Sequence, residues 1–245
     1  MEKIYDAIMG LVVGDALGVP FEFRKRDTFH AEGMTGYGTY NQPPGTWSDD
    51  SSMTLATAAS MAIMGKVDPE HIMKQFALWL CNGTYTPFGT VFDVGNTTRK
   101  AIMRFAEGVP IKFCVGREEN EKGNGSLMRI LPLAFQHKDE PDALNRRQVC
   151  FLTHAQYICK EACDIYSIIA KELAEGRSLD EVLAVVSPVY EPVRDWGRLF
   201  RLKNIPREEI KSTGYVVDTL EAALWSLCHA GSYRDAVLTA VNLGD

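Results

Sequence analysis

Apolar residues recur at three- and four-residue spacings in one segment after another of this chain, and two-residue alternation is almost absent. The first spacing lines one face of an α-helix, whereas alternation would line one face of a strand. Ile4 to Leu17, Ser52 to Met64, Pro69 to Leu80, Asn96 to Ala106 and Ser126 to Phe135 carry the helical period. Arg146 to Leu173 carries it too, is too long for one uncapped helix, and divides near Thr153-His154. Leu179 to Val186, Val193 to Leu202, Val217 to Cys228 and Tyr233 to Val241 complete the set. The expected fold class is therefore all-α, a single compact multi-helix domain over residues 1–245. Glycine and proline gather between the helices, in long loops at Gly33 to Gly45, Gly83 to Gly95 and Gly116 to Gly125. Loops of that length inside a compact domain usually carry function.

Composition narrows the partners. Hydrophobic residues make up 46% of the chain, enough to fill a core, and 26 Lys+Arg against 32 Asp+Glu leave a net charge of −6. The two signs are interleaved with no dense basic block, so neither nucleic acid nor an anionic membrane is expected as a partner. Near the start a short apolar run, Ala7 to Val13, follows acidic residues and is interrupted at Asp15, so neither a signal peptide nor a membrane span is expected. Cys81, Cys114, Cys150, Cys159, Cys163 and Cys228 have no repeated spacing, which fits buried, reduced thiols in a cytoplasmic protein. Cys159 and Cys163 share a helix face, but no second Cys/His pair lies nearby to make a zinc site.

Gly45-Thr46-Trp47-Ser48-Asp49-Asp50-Ser51-Ser52-Met53 sets two adjacent carboxylates among hydroxyls immediately before a helix. Those hard oxygens suit magnesium, manganese or calcium. The same residues are also good helix N-caps, and first-turn acids are favoured by the helix dipole, so capping explains them equally well. Glu22 follows a Gly-Val-Pro-Phe turn between two phenylalanines, and Asp93 again precedes a helical run. Gly123-Asn124-Gly125-Ser126 is a glycine-flanked loop expected to enter a helix and bare backbone N–H groups toward an anion, or to be only a turn. Thr153-His154 sits at an expected helix start, where the imidazole could bond a sugar or phosphate, or be structural.

In combination and order these segments resemble the ADP-ribosylglycohydrolase family. The resemblance runs from Gly10-Leu11-Val12-Val13-Gly14-Asp15-Ala16-Leu17-Gly18 through Glu22, Trp47-Ser48-Asp49-Asp50-Ser51, Phe92-Asp93-Val94-Gly95-Asn96-Thr97-Thr98 and Gly123-Asn124-Gly125-Ser126-Leu127-Met128-Arg129. It continues through Thr153-His154 to Val217-Asp218-Thr219-Leu220-Glu221-Ala222-Ala223-Leu224-Trp225. It implies an all-α fold whose cleft holds a pair of divalent ions, Mg2+ or Mn2+, and receives ADP-ribose. Ser48, Asp49 and Asp50 match the first metal-ligand motif, with Ser where many members have Thr. Glu22 matches an acidic residue near the second metal and the substrate, and Asp93 a carboxylate proposed as acid/base group at the scissile bond. Gly123, Asn124, Gly125 and Ser126 would wrap the diphosphate and ribose, His154 would approach the ribose, and Tyr215 would line the adenine side.

One departure stands out. Family members follow a late Asn-Leu-Gly with an Asp-x-Asp-Thr segment that supplies the other metal ligands, whereas these residues end at Val241-Asn242-Leu243-Gly244-Asp245. On that alignment the 245 residues hold half of the protein ligands, and metal occupancy is expected to be weakened. The resemblance implies a metal-dependent hydrolase that removes ADP-ribose from modified protein side chains, ADP-ribosylarginine foremost, by cleaving the glycosidic bond at C1″. The alternative is a non-catalytic ADP-ribose-binding or structural member, and the partner in either case is an ADP-ribosylated protein or ADP-ribose itself.

Overall fold

Most of the periodic segments become α-helices, and among the described residues no strand forms, only three isolated bridges. The helices are α1 (Glu2–Gly18), α2 (Asp49–Met64), α3 (Pro69–Asn82), α4 (Asn96–Ala106), α5 (Asp142–Cys150), α6 (Tyr157–Ala174), α7 (Leu179–Tyr190), α8 (Val216–Cys228) and α9 (Tyr233–Val241). The structure, a computed structural model, describes residues 2–116, 118–136, 142–193 and 195–244, the side chain of Glu2 excepted; Asp245 lies outside them. Local chemistry sets the starts. Ser48, Asp68, Ser178 and Ser232 are N-caps whose side-chain oxygens accept the N–H of Asp50, His71, Glu181 and Asp235. Gly65 and Gly83 end α2 and α3 in the left-handed conformation, φ 65° and 71°, which a residue without Cβ adopts freely.

Two expected helices are corrected. Ser126 to Phe135 is a set of turns followed by a short 3-10 segment, Leu131–Phe135. Pro132 lacks an N–H and disfavours α geometry at Leu131. Upstream, Arg129 Nε donates to the Gly125 carbonyl at 3.1 Å, the acceptor that an α-helix would use for the Arg129 N–H. Val193 to Leu202 likewise becomes a turn and a 3-10 segment, Gly197–Asn204. The long run from Arg146 does divide, with residues 151–156 separating α5 from α6.

Helix α1, Glu2–Gly18, matches the helix expected over Ile4 to Leu17. Lys3–Phe21 is long and apolar enough, at mean hydropathy 1.5, to cross a membrane on length and composition alone, with 22% of that window buried. The helix meets α9, where the Tyr233 hydroxyl donates to the Gly10 carbonyl at 2.7 Å. The core is continuous. Met53, Phe76, Trp79 and Ile102 join α2, α3 and α4, while Ile165, Trp196, Leu199 and Leu220 fill the space between α6, α8 and the 197–204 segment. Asp164 of α6 accepts from Arg146 Nε of α5 at 2.8 Å and from Lys160 at 2.6 Å, a buried charge cluster tying two helices. All six cysteines are free; Cys81 is exposed and Cys228 half-buried, so only four are the buried thiols expected.

Candidate active site

Three helix N-termini, those of α2, α4 and α8, point into one cleft of about 890 Å³, with the loop 123–125 closing its floor and the Glu22 turn its rim. Each N-terminus presents the positive end of its dipole. Of the candidate residues, Glu22, Asp49, Asp50, Asp93, Gly123, Asn124, Gly125 and His154 all line this cleft. Residues separated by more than a hundred positions therefore share one surface.

The acidic end is built on α1 and α2. Asp15, on α1, accepts the backbone N–H of Ser48 at 3.0 Å and of Ser51 at 3.0 Å, together with the Ser51 hydroxyl at 2.5 Å. It thus holds the first turn of α2, and with it Asp49 and Asp50, in place. Sequence reasoning passes over Asp15 as a site residue; the available signal was a carboxylate inside an otherwise apolar helix. Ser48 caps α2, its Oγ accepting from Asp50 N at 3.4 Å, and lies beneath the cleft wall. Capping and ligand readings of this segment are therefore compatible, since one turn presents the carboxylates while its cap bonds backbone.

Asp93 enters from the loop before α4, with φ 58°, a left-handed conformation that Asp tolerates better than most residues. The Tyr40 hydroxyl donates to Asp93 Oδ1, and Glu22 is hydrogen-bonded to the same carboxyl group. Burial, that bond and the charges of Asp93, Asp50 and Asp49 push the Glu22 carboxyl up to about 10. Burial and the charges of Asp50, Asp93 and Asp15 raise Asp49 well above the usual carboxylate range, and burial with the Asp15 and Asp93 charges does the same to Asp50. Tightly grouped acids that oppose one another's ionisation are what a multivalent cation would relieve. The donors, all hard oxygens, fit magnesium or manganese in kind. Among the described residues, however, no three His, Cys, Asp or Glu side chains converge as a ready ligand group.

The opposite wall, formed by the 123–125 loop, His154 and the start of α8, carries no acidic side chain in its lining. Asn124 N donates to the Gly214 carbonyl at 3.1 Å, Asn124 Nδ2 to Thr219 Oγ1 at 3.1 Å, and Val216 N to the Lys122 carbonyl at 3.0 Å. The loop is thereby stitched to the start of α8. Gly125 is wedged between α4 and the 151–156 segment; a Cβ there would stand 2.8 Å from His154 Cε1 and 2.9 Å from Thr98 Oγ1. Arg129 is fully buried, its guanidinium donating to the carbonyls of Gly125 and Val149 and, at 2.7 Å, to Thr153 Oγ1, while stacking over Phe76 at 4.7 Å. Thr153 Oγ1, which accepts from Arg129, also lies 2.8 Å from His154 Nδ1 and orients the ring; with the hydroxyl as donor, Nε2 carries the imidazole proton at the cleft. Burial, reinforced by the Arg129 charge, pushes the imidazole down to about 3.

Besides Ser48, two candidates lie outside the cleft lining. Ser126 is fully buried, with its hydroxyl accepting from Cys150 Sγ at 3.4 Å and Cys163 Sγ at 3.7 Å, because the absent helix leaves its side chain turned into the core. Tyr215 is the N-cap of α8 and pairs with Gly123 through an isolated bridge, and it is the neighbouring Thr213 and Gly214 that line the cleft.

Comparison with known proteins bears on this arrangement. The sequence model of one family, ADP-ribosylglycohydrolase, matches residues 1–245. ADP-ribosylarginine hydrolase Tri1 of Serratia proteamaculans (strain 568) is 34% identical over 253 residues, covering 100% of this chain and 67% of that protein. The Tri1 protein of Pseudomonas putida (strain GB-1) is 32% identical, covering 100% and 66%. This chain therefore spans about two thirds of the length of those relatives. ADP-ribosyl-[dinitrogen reductase] glycohydrolase of Rhodospirillum rubrum is 28% identical, with 99% and 80% covered. A solved structure described as an ADP-ribosylglycohydrolase-related protein complex superposes with a TM-score of 0.79 at 30% identity, covering 99% of this chain and 81% of that one.

Proposed function

We propose, from the premise that this chain belongs to the ADP-ribosylglycohydrolase family, that its cleft removes ADP-ribose from modified arginine side chains of proteins by hydrolysing the C1″–nitrogen bond. The observation that carries the reading is the polarity of the cleft. Carboxylates occupy one end, at the start of α2 and just before α4, and the glycine loop 123–125, the start of α8 and a buried histidine occupy the other. ADP-ribose has the matching polarity, with a diphosphate that favours N–H groups and a ribose whose hydroxyls suit metal and carboxylate. A cleft of about 890 Å³ lies within the range of small-molecule sites.

Glycosidic cleavage develops positive charge on C1″ and the ring oxygen, which the acidic end favours electrostatically. Water adds to C1″ as the bond to the guanidine nitrogen breaks, leaving ADP-ribose and arginine. Glu22 and Asp93, hydrogen-bonded to each other, share the proton traffic: one takes the proton of the attacking water and the other supplies one to the departing nitrogen. Tyr40 orients Asp93, and Asp15 orients Asp49 and Asp50. Ser48, Asp49 and Asp50 would hold magnesium or manganese, whose chemistry when bound is to fix ribose hydroxyls and acidify a water. His154 Nε2 and the N–H groups around Gly123 to Gly125 bind the ribose and diphosphate.

The test measures free ADP-ribose released from an ADP-ribosylarginine peptide with magnesium, with manganese and with a chelator. Release that requires the metal is expected. Tight ADP-ribose binding with no release under any condition would replace hydrolysis with a binding role, and AMP or phosphate as product would move the cleavage to the diphosphate.

A further inference from the structure

We propose that Phe23 and Tyr40 form the leaving-group subsite of this cleft, taking the planar guanidinium of the modified arginine; the inference rests on the hydrolase reading above. Both side chains line the cleft beside Glu22, Asp49 and Asp93. Phe23 is 72% exposed and is held at φ 59°, a left-handed conformation that bulky residues rarely adopt. The surrounding turn enforces it. Arg24 N donates to the Phe21 carbonyl at 3.1 Å, and Thr39 Oγ1 donates to the Glu22 carbonyl at 2.7 Å. Gly38 presses so closely on Pro20 that a Cβ would overlap the proline carbonyl. An unusual backbone that turns an apolar ring outward at a cleft mouth is explained when a ligand covers the ring.

Two features specify that ligand. The Phe23 and Tyr40 rings meet edge to face with centroids 6.4 Å apart, and Tyr40 is fixed from behind by Phe92 at 5.1 Å and by its bond to Asp93. A few residues away the chain shows what such rings accept: Arg24 lies over Phe21 and Phe29, 5.8 and 5.0 Å from their centroids. Among the described residues no lysine or arginine of this chain lies over Phe23 or Tyr40, and the exposed Phe23 ring is open to a cation brought by substrate. Carboxylates flank the same spot. Aromatic faces together with acids favour a flat, weakly hydrated cation, which is the guanidinium of arginine. A serine linkage presents a neutral oxygen with nothing to stack, so the subsite discriminates between linkages by chemistry.

Phe23→Leu keeps an apolar group and removes the ring, and Phe23→Trp restores one. With an ADP-ribosylarginine peptide, kcat/KM should fall on the order of tenfold in Phe23→Leu and recover in Phe23→Trp, the size expected for one cation–π contact. The arginine-over-serine preference should fall in parallel, and the ADP-ribose Kd by calorimetry should stay within twofold. Equal kcat/KM in wild type and Phe23→Leu overturns the inference, as does a loss of ADP-ribose affinity that matches the loss of rate. A second arm needs no turnover: ethylguanidinium added to protein saturated with ADP-ribose is followed by saturation-transfer NMR. Wild type and Phe23→Trp should give a signal and Phe23→Leu none; a silent wild type overturns the subsite. Binding of ethylguanidinium by a wild type that releases no ADP-ribose would sink the hydrolase reading and leave the subsite standing.

Discussion

Arg129→Lys separates geometry from charge at the most buried cation of the protein. The guanidinium serves three acceptors, the Gly125 and Val149 carbonyls and Thr153 Oγ1, and has no carboxylate beside it. Burial pulls its pKa down to about 10, so the site already bears the cost of a desolvated charge. Lysine keeps that charge but lacks the planar fork that serves three acceptors from fixed positions. The Val149 carbonyl keeps its bond from Leu152 N and Thr153 Oγ1 its bond to His154, so the Gly125 carbonyl is the acceptor left unpaired, at about 2 kcal/mol from the 1–3 kcal/mol such a group costs. For a domain of this size that lowers Tm by about 4–8 °C. Urea unfolding followed by circular dichroism measures the first figure and calorimetry the second. The substitution should also weaken ADP-ribose binding, since Thr153, which positions the His154 ring from 2.8 Å, loses the guanidinium bond that holds it. A lysine variant within about 1 kcal/mol of wild type, with unchanged ADP-ribose Kd, would refute the assignment of Arg129 as the support of the diphosphate wall.

Gly125→Ala should destabilise by about 1–3 kcal/mol and abolish ADP-ribose binding by calorimetry, because its methyl group meets His154 and Thr98 in a wall with no slack. Asp15→Asn removes one of two acceptor oxygens facing Ser48 and Ser51, and should cost about 1–2 kcal/mol in urea and weaken Mn2+ binding read by electron paramagnetic resonance. His154 gives a pH signature of defined sign. Its folded pKa of about 3 lies below the unfolded 6.5, so its neutral form contributes fully above pH 6.5 and the contribution is lost as pH falls. Between pH 6.5 and pH 5 that loss is about 2 kcal/mol, at 1.36 kcal/mol per unit. The raised pKa of Glu22 gives the opposite slope, so the comparison is made against His154→Gln, whose change in stability from pH 7 to pH 5 should be more favourable than that of wild type by about 2 kcal/mol; equal changes would contradict the burial argument.

Helix content was legible in the sequence because amphipathic periodicity is local: Asn96 to Ala106 and Tyr233 to Val241 are read with their observed ends, and the division of the long run near His154 follows from spacing alone. Most of the candidate site was legible too, through the carboxylates and glycines beside helix starts. Ser126 to Phe135 was not, because the competition that unwinds it is between Arg129 and the backbone for one carbonyl, and the winner depends on Phe76, Val149 and Thr153 arriving from elsewhere. For the same reason Ser126 turns to Cys150 and Cys163 while Asn124 faces the cleft. Asp15 acquires its meaning only when α1 lies against the first turn of α2, 33 residues on. Residue types and spacings state what each segment can do; which carboxylates share a proton, which histidine nitrogen carries one and which aromatic ring stays uncovered are long-range properties, set only when packing decides which groups lose their water and which partners replace it.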